Sequence, residues 1–202
     1  MKSRFRSSVV RWTERLLWLV SLAALGAYGF AWMESRIYQS YADRSFTRTI
    51  YGEVPSQAPA FPAAPADRPN SLTSWLGRLE IPAIDLSVIF LEGTDSLTLM
   101  HGVGHIPGTA LPGAAGNAGL AGHRDTFFRR LEELRIGDSV RITTLNGNYE
   151  YVVDKLDVVD PKDVEVLDDA GRPELTLVTC YPFWHLGPSP KRYVVRAALG
   201  GF

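Results

Sequence analysis

One cysteine, Cys180, is all that the 202 residues contain. A lone thiol excludes an intrachain disulfide, and with it the cross-linked scaffolds of small secreted domains. An excess of one charge is missing too: 21 Lys and Arg stand against 22 Asp and Glu, a formal net charge of −1. Nothing in that balance suits a nucleic-acid surface, and no nucleic-acid partner is expected. Carboxylates are absent from the whole stretch Ser96 to Arg124. No internal repeat is visible. With 46% hydrophobic residues, the chain can still bury one substantial core.

What charge there is lies unevenly. Residues 1–15 hold five basic side chains (Lys2, Arg4, Arg6, Arg11, Arg15) and one acid, Glu14. Leu16 to Met33 follows, eighteen residues without a charge. As a helix it would be about 27 Å long, close to the roughly 30 Å of bilayer hydrocarbon. Trp12, Trp18, Tyr28 and Trp32 lie towards its ends, where amphipathic rings favour the headgroup region. The expected organisation is a cytoplasmic basic flank at 1–15 and a single-pass anchor in the cell membrane at 16–33, with everything beyond it extracytoplasmic. Ala27-Tyr28-Gly29 loosely resembles a cleavage site. The apolar run continues past it to Met33, which favours an uncleaved anchor. In either case the bulk of the protein is exported.

Residues 34–73 read as an extended helix followed by a spacer. Ile37, Tyr41 and Arg44 continue the helical spacing, and Gly52 to Asn70 then holds five prolines in nineteen residues, alternating with alanines. Such a stretch is semi-rigid and polyproline-II-like, up to about 60 Å long. The folded domain is expected at 74–202, where the signals are mainly β. Strands are expected at Trp75–Ile81 and Ile84–Leu91 around a Pro82-Ala83 turn. Others are Asn117–Gly122, the hairpin Val140–Leu145 and Asn148–Val153 around Asn146-Gly147, Leu175–Cys180 and Arg192–Leu199. Thr94 would cap a short helical segment, and Asp125 or Thr126 another that carries Phe127, Phe128, Leu131 and Leu134. Many short strands with only small helices imply a closed or nearly closed β-barrel.

Three strand ends carry the chemistry. Cys180 ends Leu-Thr-Leu-Val-Thr-Cys, His123 follows the strand that ends near Ala121, and Arg192 opens Arg-Tyr-Val-Val-Arg. Alone, Cys180 reads as a small hydrophobe closing a core strand. With an imidazole and a guanidinium at neighbouring strand ends, the three are the parts of a cysteine acyl-transfer site. Arg196 is the rival for the arginine, on the same strand face by two-residue alternation.

Leu-Thr-Leu-Val-Thr-Cys180, Ala-Gly-His123-Arg-Asp and Lys-Arg192-Tyr-Val-Val closely resemble the sortases, membrane-anchored cysteine transpeptidases of bacterial surfaces. Gly-Arg-Leu-Glu-Ile-Pro82 and the Tyr-Pro-Phe after the cysteine make the pattern most similar to class D. The resemblance covers about residues 74–200 and implies a closed barrel of about eight strands with short helices behind one transmembrane helix. It implies cleavage of an LPxT-type C-terminal sorting signal on surface proteins, with Cys180 forming a thioester at the threonine carbonyl. His123 would carry the proton, and Arg192 would hydrogen-bond the oxyanion. An amine from the cell wall or another surface protein would accept the acyl group. A thiol hydrolase of the same fold, or a binding module that has lost activity, remain the alternatives.

Other candidates have plainer readings. Thr179 either supports the nucleophile's backbone or simply fills a β position. His185, in the loop before the last strand, either lines a substrate groove or, the better-supported reading, faces solvent. Both are secondary candidates for substrate binding. His101 and His105 are four apart, but Gly102 and Gly104 between them argue against a helical zinc pair, leaving a polar loop. Asp125 could orient His123 but fits helix capping better. Ile106-Pro-Gly-Thr-Ala110 resembles a sorting signal and reads as a loop. Asp160, Asp163, Glu165, Asp168 and Asp169 form an acidic run of solvated character. No cofactor and no metal are expected. Some sortases bind calcium through acidic side chains ahead of the histidine strand, and the carboxylate-free stretch Ser96 to Arg124 cannot supply that site. Millimolar calcium or a chelator should therefore change peptide turnover by less than about twofold, measured as initial rates on an LPxT-type peptide.

Overall fold

A computed structural model describes residues 2–50, 75–169, 171–185 and 187–200. The Pro-rich segment expected as a spacer lies outside the described residues. The chain divides into two compact units, Met1–Tyr38 and Gln39–Phe202.

The first unit is helical, formed by α1 (Lys2–Ile50) up to Tyr38. Its apolar side chains are not covered: Leu16, Leu17, Leu19, Leu22 and Leu25 are all exposed. This helix is long and apolar enough to cross a membrane. An apolar surface without a protein partner is what a membrane segment presents.

The second unit contains the last turns of α1 and a closed barrel, so the compact domain starts at Gln39, ahead of the expected boundary at 74. Ala42 and Phe46, one helical i,i+4 step apart, are buried. The Phe46 ring meets Trp75 edge-on at 5.3 Å between centroids. Gln39 behaves as a fragment of strand: its Oε1 accepts from Ile89 N at 2.8 Å, and its Nε2 donates to His101 O at 2.6 Å. Asp43 pairs with Arg78 at 2.6 Å. The sequence reading missed this docking because two apolar residues among Arg, Ser and Thr make a weak stripe.

Eight strands close the barrel, as expected: β1 (Trp75–Ile81), β2 (Leu86–Glu92), β3 (Val103–His105), β4 (Asn117–Ala121), β5 (Ser139–Thr144), β6 (Gly147–Val159), β7 (Glu174–Tyr181) and β8 (Lys191–Leu199). Their order around the wall is β1-β2-β3-β4-β7-β8-β6-β5. The β2–β3 and β4–β7 pairs are parallel and the others antiparallel. Alternation along each strand sends Leu79, Ile81, Leu120, Ile142, Leu175, Leu177 and Val195 into one core. The hairpin turn is Leu145-Asn146, one residue before the expected Asn146-Gly147, and Gly147 opens β6 at positive φ opposite Thr144.

Three local features differ from expectation. Strand β3 was not foreseen, because it is only three residues long, centred on Gly104 and directly preceded by Gly102. The helix α2 (Ser96–His101) is capped by Asp95, not Thr94: Asp95 Oδ1 accepts from Leu97 N at 3.0 Å and Thr98 N at 3.2 Å. The segment after His123 forms turns and a 3-10 helix, Leu131–Glu133, in place of a helix capped by Asp125 or Thr126. His101 and His105 are buried, correcting the polar-loop reading. His105 Nδ1 lies 2.9 Å from Glu92 Oε2, and its Nε2 lies 3.0 Å from Ala110 O, so the ring joins β3 to the start of the β3–β4 loop.

If the end of α1 is part of the domain, Phe46→Ala should cost about 3 kcal/mol of stability, as emptying a filled aromatic site does. A barrel beginning at residue 74 should melt below one beginning at residue 39. Equal melting temperatures would contradict the docking.

Candidate active site

Strand pairing converges the three strand ends. Ala121 of β4 is level with Val178 of β7 in a parallel pair. Two hydrogen bonds extend the pairing past β4: Gly122 N donates to Val178 O at 3.2 Å, and the buried Thr179 Oγ1 donates to Gly122 O at 2.7 Å. His123 is the next residue after Gly122, at the same end of the β4–β7 pair as Cys180. On the other side of β7, Cys180 pairs with Arg192 of β8. Leu175 and Leu177 point into the core, so alternation turns Cys180 outward, as it does Arg192 opposite. His123 is exposed and Cys180 half-buried.

Gly122 has a steric reason. A Cβ there would stand 2.7 Å from the Phe128 ring, too close for any side chain. Phe128 is fully buried, and its backbone N donates to His123 O at 3.0 Å. Packing under Gly122 thus fixes the backbone from which the imidazole projects.

The two arginines of β8 have different surroundings. Arg192 Nη1 donates to the Lys191 and Ser189 carbonyls at 3.0 and 3.4 Å. No carboxylate pairs with it among the described residues. Arg196 lies opposite Thr176, four residues before Cys180 and so about 13 Å away along the strand. Its Nη2 donates to Glu174 Oε2 at 2.7 Å, while Arg172 Nε reaches Glu174 Oε1 at 2.7 Å. Burial alone would push the Glu174 pKa up, but these two guanidinium groups outweigh it and hold the carboxyl below the ordinary glutamate value.

The other candidates are dispersed. Thr179 is 2% exposed, and its hydroxyl is spent on Gly122, so it is a strut between strands and not a surface for substrate. His185 is exposed on the β7–β8 loop. Asp125 is exposed and caps no helix. Ile106–Ala110 belongs to the loop between β3 and β4, as expected, and packs on β4 through Ile106 N to Gly119 O at 2.8 Å. Among the described residues, no group of three His, Cys, Asp or Glu is arranged to hold a metal.

Sequence reasoning missed two residues. Arg124 was part of the histidine motif but had no role of its own; its guanidinium enters the loop between Cys180 and Arg192. A loop with prolines at 182, 188 and 190, poor in its own donors, was the available signal. Glu174 is the other, a buried acid whose partners sit two and 22 residues away.

Comparison with known proteins agrees with this geometry. The Sortase domain family model matches residues 79–200. The chain belongs to the sortase family. It is most like the class D sortases: it is 42% identical to Sortase D of Bacillus subtilis over 120 residues, 59% of this chain and 61% of that one. It is 32% identical to Sortase A of Bacillus anthracis over 130 residues, 62% of this chain and 60% of that one. The chain therefore spans about three fifths of these curated relatives. Among solved structures, the Clostridium perfringens Sortase D5 transpeptidase superposes with a TM-score of 0.58 at 32% identity, covering 63% of this chain and 79% of that one. Sortase A from Corynebacterium diphtheriae gives 0.59 at 33% identity, covering 63% and 61%.

The Glu174 cluster makes this sortase barrel sensitive to acid. A carboxyl whose folded pKa lies below its unfolded value, about 4.3, stabilises the fold above that value and loses the contribution as pH falls through the folded one. Melting temperature should thus drop below about pH 4. Glu174→Gln should lower stability at neutral pH and flatten the acid limb of a pH–melting profile. An unchanged profile would contradict the pairing.

Proposed function

We propose that this sortase is a membrane-anchored cysteine transpeptidase that cleaves an LPxT-type sorting signal after threonine and transfers it to an amine on the cell envelope. The observation that carries the reading is the cross-strand pair Cys180–Arg192, with His123 two residues beyond the end of β4 on the other side of β7, in a barrel of the matching family. The Cys180 thiolate attacks the threonine carbonyl carbon, and the negative charge that develops on its oxygen lies towards the Arg192 guanidinium. A fixed cation with several N–H donors suits that oxyanion better than a neutral donor. The tetrahedral adduct expels the amine of the next residue, which takes a proton from His123 as it leaves. A thioester remains on Cys180. An incoming amine attacks it, gives a proton back to His123, and the thiolate departs.

The exposed apolar helix would hold the enzyme in the cell membrane. With five basic residues ahead of the span, the N-terminus is cytoplasmic and the barrel extracytoplasmic. Its substrates would be surface proteins with a C-terminal sorting signal, and its acceptor an amine of the cell wall or of another surface protein. Water in place of the amine would make the same site a hydrolase.

Turnover of the β8 arginine variants, with and without added amine, tests the reading. Arg192→Ala should lower kcat by on the order of 10²–10³, with KM little changed, and Arg192→Lys should recover only part. Arg196→Ala should stay within about tenfold of wild type in kcat while melting earlier, since Glu174 loses a partner. The reverse ranking would overturn the site, and a product unchanged by amine would identify a hydrolase. No cleavage at all would leave a binding module.

A further inference from the structure

The β7–β8 loop, residues 182–190, joins the two strand ends that carry the ladder partners Cys180 and Arg192. Its prolines at 182, 188 and 190 donate nothing, and among the described residues its backbone makes no hydrogen bond within itself. The missing donors come from one side chain. Arg124 Nη1 donates to Pro182 O at 2.9 Å and to Ser189 Oγ, and its Nη2 donates to His185 O at 2.7 Å and Gly187 O at 3.0 Å. The four acceptors span the loop from its first residue to its eighth. Only a planar guanidinium offers so many divergent donors at once; an ammonium is a single point. A second arginine from the same segment, Arg129, stacks over the exposed Trp184 at 4.8 Å.

Ser189 connects this clasp to the reacting groups. Its hydroxyl accepts from Arg124, and its carbonyl accepts from Arg192 Nη1 at 3.4 Å. Arg124 also directly follows His123 in the chain. The imidazole, the loop and the Arg192 guanidinium are thereby tied through a single side chain.

We propose that Arg124 is a positioning residue of the transfer reaction: it fixes the β7–β8 loop and, through Ser189, holds Arg192 where the oxyanion forms. This rests on the acyl-transfer reading of the site. It touches no reacting atom, so its loss should act through Arg192. Displacing an oxyanion partner by about 1 Å costs on the order of 10²-fold in rate.

The test is a double-mutant cycle on the full chain in detergent, with an LPxT-type peptide as substrate. Arg124→Ala should lower kcat by roughly 10- to 100-fold, while in an Arg192→Ala background it should add less than about threefold. Arg124→Lys should regain little, because one point donor cannot reach four acceptors. If Arg124→Ala does not fold, Ser189→Ala enters the same cycle, with a smaller loss that again vanishes without Arg192. Independent multiplicative losses, or a kcat within about twofold of wild type, would overturn the proposal. Limited chymotrypsin cleavage after Phe183 or Trp184 supplies a readout that needs no activity. Faster cleavage in Arg124→Ala is expected, and an unchanged rate contradicts the clasp. A wild-type chain that turns over no peptide would sink the acyl-transfer reading and the positioning role of Arg124 with it, and the proteolysis result would still decide whether Arg124 holds the loop.

Discussion

The parallel pairing of β4 with β7 is the constraint on which the site depends. Parallel neighbours need a long crossover, and here the chain travels through β5 and β6 before β7 returns beside β4. That detour brings the Cys180 end of β7 beside the end of β4, which His123 follows by two residues. The alternation of a strand then decides the side of the thiol: Leu175 and Leu177 go inward, so the cysteine goes outward. Thr179 makes the arrangement hard to slip. A one-residue shift would bury a hydroxyl without a partner, at a cost of about 1–3 kcal/mol.

Charge is distributed along β8 by the same logic. Arg192 and Arg196 share a face, yet only Arg196 has a carboxylate partner among the described residues. Glu174 at the start of β7 takes Arg196, while Arg192, at the far end, donates to backbone carbonyls. The strand thus carries a buried ion pair at one end and, among the described residues, an arginine without a carboxylate partner at the other.

Most of the barrel was legible in the sequence because its signals are local. Asn146-Gly147 marks a hairpin, alternation marks β6 and β8, and the motif around Cys180 marks the end of β7. Other features depend on contacts that no short window contains. β3 has three residues, one of them a glycine, and only its pairing with β2 and β4 makes it a strand. The docking of α1 rests on Gln39, a polar residue that imitates a strand by hydrogen-bonding both backbone groups of Ile89. Phe128 was read as part of a helix face, and the same burial is achieved by a turn and a 3-10 helix. Of the site, Cys180, His123 and Arg192 were identifiable as residues near strand ends, and the pairing of β7 with both neighbours places them together. Arg124 was hidden because its four acceptors include three backbone carbonyls, which no residue pattern announces.

Trapping the acyl group on the enzyme tests the account most directly. An LPxT-type peptide incubated without amine, quenched in acid and digested, should leave a mass adduct on the peptide containing Cys180 that hydroxylamine removes. The adduct should correspond to the substrate up to its threonine. An adduct on any other residue, or cleavage that proceeds at the wild-type rate in Cys180→Ala, would contradict it.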